Sequence, residues 1–336
     1  MKGRGRFLLG RAIWALVVVF VVITFNFFLF RVLPGDPAKA GAHDPRLSPA
    51  SIVALTERFG LDKPAFINLE PGENPFDSQY FAYLGALSQG DLGTSYAFRD
   101  ESVADMLAEA LVNTLWLILP AQLLAIFFGI VLGLIAAWRR GTSLDVVSLT
   151  FSLFMWSLPT FFLAILLLVF GSSYLDLPTR GMETIGAEYA SWWEQLVDIV
   201  RHMAMPTLAF TLVLLGEYML IMRSSVLDVF SEDYILTAKA KGLSTFQIIK
   251  DHALRNAMLP MVTLIAINLA FTVSGAIQVE EVFSWPGIGL LTVDAISERD
   301  YPVLQGAFLL IAVAVVIANL VADVVYGWLD PRVSTT

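Results

Sequence analysis

The chain has 336 residues, 57% of them hydrophobic and only 15% charged, with a mean hydropathy of +0.71. That is too apolar for an ordinary water-soluble domain, so its surface fits a bilayer. A net charge of −9 argues against a nucleic-acid partner, and the absence of cysteine removes disulfides, thiolate metal sites and cysteine nucleophiles.

A membrane-crossing helix needs roughly 20 mostly apolar residues. Six stretches reach that length, at about 12–32, 112–137, 146–171, 205–222, 258–280 and 303–326. The sequence therefore predicts an all-α membrane protein with six transmembrane helices and both termini on one side. Lys2, Arg4, Arg6, Arg11, Arg139 and Arg140 flank the spans on that side, which the positive-inside rule makes cytoplasmic and which includes the 223–257 loop. The expected membrane is the plasma (inner) membrane. Ala38-Lys39-Ala40 looks like a signal-peptide cleavage site, but the uncharged run from Ala12 to Phe30 is longer than the apolar core of such a peptide, so the first span is expected to remain as an anchor.

Three parts follow: residues 1–33 with the first span, an extracytoplasmic segment at 34–111, and a transmembrane core at 112–336 that includes the 223–257 loop. Within the second, "SPASIVALTERFG" reads as a short amphipathic helix, with Ser48 as N-cap, Pro49 at N1, Ile52, Leu55 and Phe59 on one face and Gly60 as the stop. It suits a helix lying over the spans better than a ligand site. A second extracytoplasmic loop, 172–204, carries "YASWWEQLVDIVRHM", which reads as an interfacial helix. There Trp192 and Trp193 suit the headgroup level, with a substrate platform as the alternative.

Inside the spans, Pro120 and Pro159 each remove a backbone N–H and should bend their helices, while Gly129, Gly133, Ala136 and Ala137 form a small-residue face for close helix contact. Glu217 and Asp323 are acids at membrane depth. Such residues are functional candidates, as proton relay, ion site or pathway lining, although both lie near a cytoplasmic end and pairing of Glu217 with Arg223 is the structural alternative.

The loop after the fourth span has clear local instructions. Ser231 can cap a helix with Glu232 and Asp233 in its first turn and Lys239 and Lys241 at its end, signs that complement the helix dipole, and Gly242 ends it. Ser244-Thr245-Phe246-Gln247 is a capping box that opens a second helix. This helix, turn and helix should project Leu243, Phe246 and Ile249, either onto lipid or into a groove on a partner. Past the fifth span, the Pro286-Gly287 pair of "FSWPGIG" has turn chemistry, proline fixing one corner and glycine accepting positive φ at the next. A structural turn is the first reading, and an exterior gate formed by Trp285, Pro286, Gly287 and Gly289 the second.

Five stretches resemble the permeases of ATP-binding-cassette (ABC) importers, in the dipeptide and oligopeptide branch: "FRVLPGDPA" (30–38), "YLGALSQGDLGTSY" (83–96), "DYILTAKAKGLSTFQIIKDHALRNAMLP" (233–260), "GAIQVEEVFSWPGIGLLTVDAISERDYPVLQG" (275–306) and "NLVADVVYGWLDPR" (319–332). They stand in the family's order along nearly the whole chain. The third is similar to the family's cytoplasmic EAA loop between helices 4 and 5. By that resemblance Asp233, Tyr234, Thr237, Ala238, Ala240, Lys241, Gly242, Leu243, Ser244 and Phe246 would form the coupling element that seats in a cleft of an ATPase subunit. Leu236-Thr237-Ala238 replaces the literal Glu-Ala-Ala, and Leu254-Arg255 stands where the broader motif has Leu-Pro. These departures agree with the peptide branch and point away from sugar importers.

The resemblance implies a non-enzymatic pore subunit of an importer of short peptides, working by alternating access. Its partners would be a second permease, two ATPase subunits or domains that bind ATP and Mg, an extracytoplasmic solute-binding protein and membrane lipid. Nickel chelates, glutathione and oligosaccharides are the alternative cargoes. No G-x-x-x-x-G-K-[ST] occurs in the chain, so no cofactor is expected here. His43, His202 and His252 fall in three different loops, so no metal site is expected either. The reading from a different class is a secondary transporter driven by an ion gradient through Glu217 and Asp323; a third is a passive scaffold.

Overall fold

The computed structural model describes residues 2–32, 62–98, 101–272 and 277–329. Among them every named element is a helix, joined by turns and irregular loops, with one isolated bridge between Thr94 and Ser102. The expected amphipathic helix around Ser48 to Gly60 lies outside the described residues.

Helix α1 (Lys2–Val32) packs on the last helix, α12 (Tyr301–Leu329), with the Asn26 amide donating to the Gln305 carbonyl at 2.8 Å. A short helix α2 (Gln79–Ser88), capped by Ser78, lies against α1, where Phe27 is surrounded by Phe66, Tyr80 and Tyr83. Helix α3 (Val103–Trp138) starts at the Ser102 cap and runs through Pro120. It packs along α6 (Trp192–Phe230) at close range, because a Cβ on Gly133 would come within 2.7 Å of Met222 Cβ and 2.8 Å of the Met219 carbonyl, and one on Gly129 would meet Tyr218. The small-residue face read from the sequence is that seam, and Ala136 and Ala137 are buried in the same stretch.

Two expectations need correcting. The stretch 146–171 is not one continuous helix: α4 (Ser143–Ser157) and α5 (Thr160–Tyr174) meet at 103°, a sharply broken span or a re-entrant pair. Pro159 holds φ near −58° as the N-cap of α5 and forces Leu158 out of the helical region, to ψ 133°, so the helix breaks. Each half has 15 residues, about 22 Å, too short to cross about 30 Å of hydrocarbon alone. Close packing fixes the bend: Gly216 of α6 lies where a Cβ would be 2.5 Å from the Ser152 carbonyl. Second, the expected interfacial helix at 189–203 and the expected span at 205–222 are a single helix, α6, of 39 residues and about 58 Å. Pro206 did not divide it.

Beyond α6 come α7 (Asp233–Ala240), α8 (Thr245–Ile248), one π turn (Ile249–Ala253) and α9 (Leu254–Thr272). Helices α10 (Ile277–Phe283) and α11 (Ile288–Ser297) precede α12. By length and composition, four helices among the described residues can cross a membrane, namely α1, α3, α6 and α12, and a fifth if α4 and α5 count as one broken span. Their outward faces carry exposed Trp14, Phe20, Leu123, Phe127 and Phe154, the surface of a protein solvated by lipid. The buried side chains form separate clusters along the bundle. One surrounds Trp285 and Phe283, one Leu107 and Val303, one Tyr218 and Met222, and one lies beneath α7 around Ile235 and Ala238.

Candidate functional site

The segment between α6 and α9 is built by backbone rules that act within a few residues. Ser231 closes α6, its hydroxyl donating to the Asp228 carbonyl at 2.6 Å, and the N-cap of α7 is Glu232. Ser231 therefore does not cap α7, as expected from sequence; it is spent on the preceding helix end. Asp233 and Lys239 sit at the negative-preferring and positive-preferring ends of α7 as read, and Lys239 lies 5.7 Å over the Phe230 ring.

At the other end of α7 the Leu243 N–H donates to the Ala238 carbonyl at 3.3 Å and the Gly242 N–H to the Lys239 carbonyl at 2.9 Å. That pair of bonds is a Schellman motif, which needs its C′ residue at positive φ, and Gly242 supplies φ +78°. Ser244 follows at once as the next N-cap. Its Oγ accepts from the Gln247 N–H at 3.3 Å while the Gln247 side-chain oxygen accepts from the Ser244 N–H at 2.9 Å, the reciprocal box read from the sequence. The π turn then carries α8 into α9 without a break. Asn256 of α9 donates to the Tyr234 hydroxyl at 2.6 Å, tying α7 to the same helix.

This hinge has two faces. Ile235, Ala238, Ile248 and Ala253 form its buried underside, with Leu243 half-buried against them. Ile249 is also buried, contrary to the expectation that it projects, because the π turn rotates it inward. Ala238, one of the expected contact residues, is part of this underside. Outward stand Leu236, 56% exposed, Phe246, 59% exposed, and Tyr234, with Asp233, Thr237, Ala240, Lys241, Gly242 and Ser244 also exposed. The Phe246 ring lies 6.5 Å from Trp138 at the end of α3, and Arg139 covers that indole. Leu236 was missed in the sequence reading; Ile235 and Ala238, three residues apart on one face of α7, form the underside and leave Leu236 off that face.

At the far end of the bundle the "FSWPGIG" turn is enclosed. Trp285 is fully buried, and its indole N–H donates to the Asn113 carbonyl of α3 at 2.8 Å while the Asn113 amide donates to the Pro286 carbonyl at 3.0 Å. The Gly287 N–H reaches the Trp285 carbonyl at 2.7 Å, a three-residue turn around Pro286. Gly287 does not use the positive φ expected of it: its φ is −102°, and Ser284 takes the left-handed position at +48°. What requires glycine at 287 is space, since a Cβ would lie 2.5 Å from both the Glu280 carboxylate and Thr114 Oγ1.

Glu280 is the residue that sequence reasoning did not single out. Its side chain is fully buried, accepting from Thr114 Oγ1 of α3 at 2.9 Å and from the Gly289 and Leu290 N–H groups at the start of α11 at 2.7 and 3.2 Å. Thr114 Oγ1 in turn accepts from the Ile288 N–H at 2.8 Å. A carboxylate at a helix N-terminus is favourably placed, and here it also ties α10, α11 and α3 into one latch. Asp300 plays a similar part for α12. Fully buried, it accepts from the Ser95 hydroxyl and from the Tyr96 and Ala97 N–H groups at 3.2 and 3.1 Å, so that 83–96 and 275–306, two of the resembling stretches, are fastened together.

The intramembrane acids are not brought together in any described contact. The Asp323 side chain lies outside the described residues. Glu217 is half-buried and accepts from Asn268 Nδ2 of α9 at 3.1 Å. Arg223, its expected partner, instead makes a two-pronged pair with Asp145 of α4 at 2.7 and 2.9 Å. Six residues along a helix is not one face, whereas spacings of three or four are. No group of three metal-ligating side chains occurs among the described residues.

Residues 129–335 match the family model described as "binding-protein-dependent transport system inner membrane component", and residues 5–118 match the model for the N-terminal part of such membrane components. The chain is 36% identical to the di/tripeptide transport system permease protein of Pseudomonas aeruginosa, over 97% of this chain and 98% of that one. It is 32% identical to the oligopeptide transport system permease protein of Bacillus subtilis, with the same coverage. Against the glutathione transport system permease protein of Escherichia coli it is 35% identical, again over 97% and 98%.

Proposed function

The chain belongs to the family of binding-protein-dependent transport system inner membrane components, and from that premise we propose that it is the pore-forming permease subunit of an ATP-driven importer of short peptides. Relatives named for di/tripeptide and oligopeptide transport, matched end to end, support the cargo; the relative named for glutathione makes that tripeptide the second choice. The subunit is multi-pass and carries six spans in this reading, with α4 and α5 as the broken third and α9 as the fifth. Both termini and the hinge are assigned to the cytoplasm by the basic flanks of the spans.

The observation that carries the mechanism is the hinge. A rigid unit, fixed at one end to α6 and at the other to α9, presents Leu236, Tyr234 and Phe246 outward while its underside is packed. Two ATPase subunits would hydrolyse ATP, and the one seated on this surface would move α6 and α9 with it. A second permease would complete the pore and a solute-binding protein would deliver cargo at the far end. Binding of the motor can switch the pore only as far as it favours one hinge position over the other.

The test is uptake by sealed vesicles. This chain reconstituted with its second permease, ATPase subunits and solute-binding protein should take up a tripeptide when ATP is supplied, and the chain alone under a proton gradient without ATP should take up none. Uptake by the chain alone would establish an ion-driven transporter and overturn the proposal.

A further inference from the structure

Glu217 lies in a helix apolar enough to cross a membrane, and its side chain is neither buried nor paired with a cation. The ion pairs among the described residues are Lys63 with Asp77, His202 with Asp198 and Arg223 with Asp145, none involving Glu217. Its one described hydrogen bond comes from a neutral amide, Asn268 Nδ2, on Oε2. That amide is itself oriented: Asn268 Nδ2 also reaches the Tyr218 hydroxyl at 3.2 Å, and the same hydroxyl accepts from Gln122 Nε2 of α3. Side chains of three helices thus fix the amide that holds one carboxylate oxygen, and the second oxygen has no hydrogen bond among the described residues. An acid at this depth that is not fully buried is expected to face the bundle interior or a water-filled path rather than hydrocarbon.

Resting on the peptide reading and deepening it, we propose that Glu217, positioned by Asn268, is a transient binding site for the α-ammonium group of a peptide crossing the pore. Peptides of different sequence share few groups, and the terminal ammonium is the cationic one. It offers three N–H donors to a carboxylate, and the same carboxylate repels the peptide's other end, so it also sets which end is held. One half-hydrated charge pair suits transit, since a pathway site must bind firmly enough to admit cargo and weakly enough to release it.

The chain's lack of cysteine makes the charge exchangeable in place. Glu217→Cys in the full complex, with its solute-binding protein and ATPase subunits in proteoliposomes, should lower ATP-driven trialanine uptake about tenfold, the order expected for loss of one charge-assisted contact. Treatment with sulfonatoethyl methanethiosulfonate, which restores a negative charge, should recover most of that uptake; the trimethylammonium reagent of similar size should not, and the wild-type complex treated in parallel corrects for thiols elsewhere. Glu217→Asp should keep most of the uptake and guards against a variant that merely fails to assemble. Uptake by Glu217→Cys equal to wild type, equal effects of the two reagents, or no reaction at the thiol would each overturn the site while wild-type import leaves the peptide reading intact. No trialanine uptake by the wild-type complex would overturn the peptide reading, and the site with it.

Discussion

The hinge between α6 and α9 and the latch around Glu280 are both helix, turn and helix, and they are held by opposite means. Every bond that shapes the hinge turn spans five residues or fewer: Ala238 to Leu243, Lys239 to Gly242, Ser244 to Gln247. The latch depends on partners far along the chain, Thr114 lying 166 residues from Glu280 and Asn113 172 from Trp285. A turn that makes its own shape can leave its outer face open, and Leu236 and Phe246 are open. A turn shaped by its surroundings is buried, as Trp285 and Glu280 are, and it can move only if those surroundings move. The first arrangement suits a surface gripped by another subunit, the second a closure inside one chain.

The sharpest way to break that contrast is to empty the latch. Glu280→Ala removes the acceptor for two backbone N–H groups and the Thr114 hydroxyl, and leaving buried donors unmet costs about 1–3 kcal/mol each. The whole bundle should therefore lose stability, read as a lower thermal midpoint of the purified protein in detergent. An unchanged midpoint would mean that the latch does not hold the fold. Gly242→Val should behave in the opposite way. No atom lies within 4 Å of the added Cβ, so the cost is backbone strain of about 1–3 kcal/mol at φ +78°, confined to the turn. The thermal midpoint should shift less than for Glu280→Ala while ATP-driven uptake is lost, and retained uptake would count against the hinge as the point of coupling.

The same contrast explains what the sequence could disclose. Gly242 and the Ser244-to-Gln247 box were legible because helix ends obey rules of three to five residues. Gly129 and Gly133 were legible as a small face, but their partner, α6, was not. Pro159 announced a bend; its size came from Gly216 packing on α4, which no local pattern records. Ile249 was misplaced because a π turn changes the angular step, and Glu280, at the end of the expected fifth span, was not singled out because its partner Thr114 is 166 residues away. Arg223 was matched with the wrong acid for the same reason, since Asp145 is 78 residues away.

Truncating the outer face sharpens the comparison from the other side. Phe246→Ala and Leu236→Ala remove exposed side chains, so the bundle's stability should change by no more than about 0.5 kcal/mol. If the face docks the motor, their combination should weaken retention of the ATPase subunits by about tenfold or more in a pull-down titration, as truncation of apolar anchors at an interface does. Unaltered retention would move the docking surface elsewhere.

The smallest effect belongs to Ser244→Ala, and it separates shape from contact. Loss of the capping oxygen costs about 1 kcal/mol at the start of α8 and removes no outward apolar side chain. If coupling requires only the exposed rings, uptake by this variant should equal wild type. If, as the Schellman turn followed at once by a capping box suggests, coupling requires a rigid path from α7 into α9, uptake should fall a few-fold while the ATPase subunits remain bound. Ser244→Thr, which keeps a capping hydroxyl, should restore it, because the property at stake is how firmly the second helix is pinned to the turn.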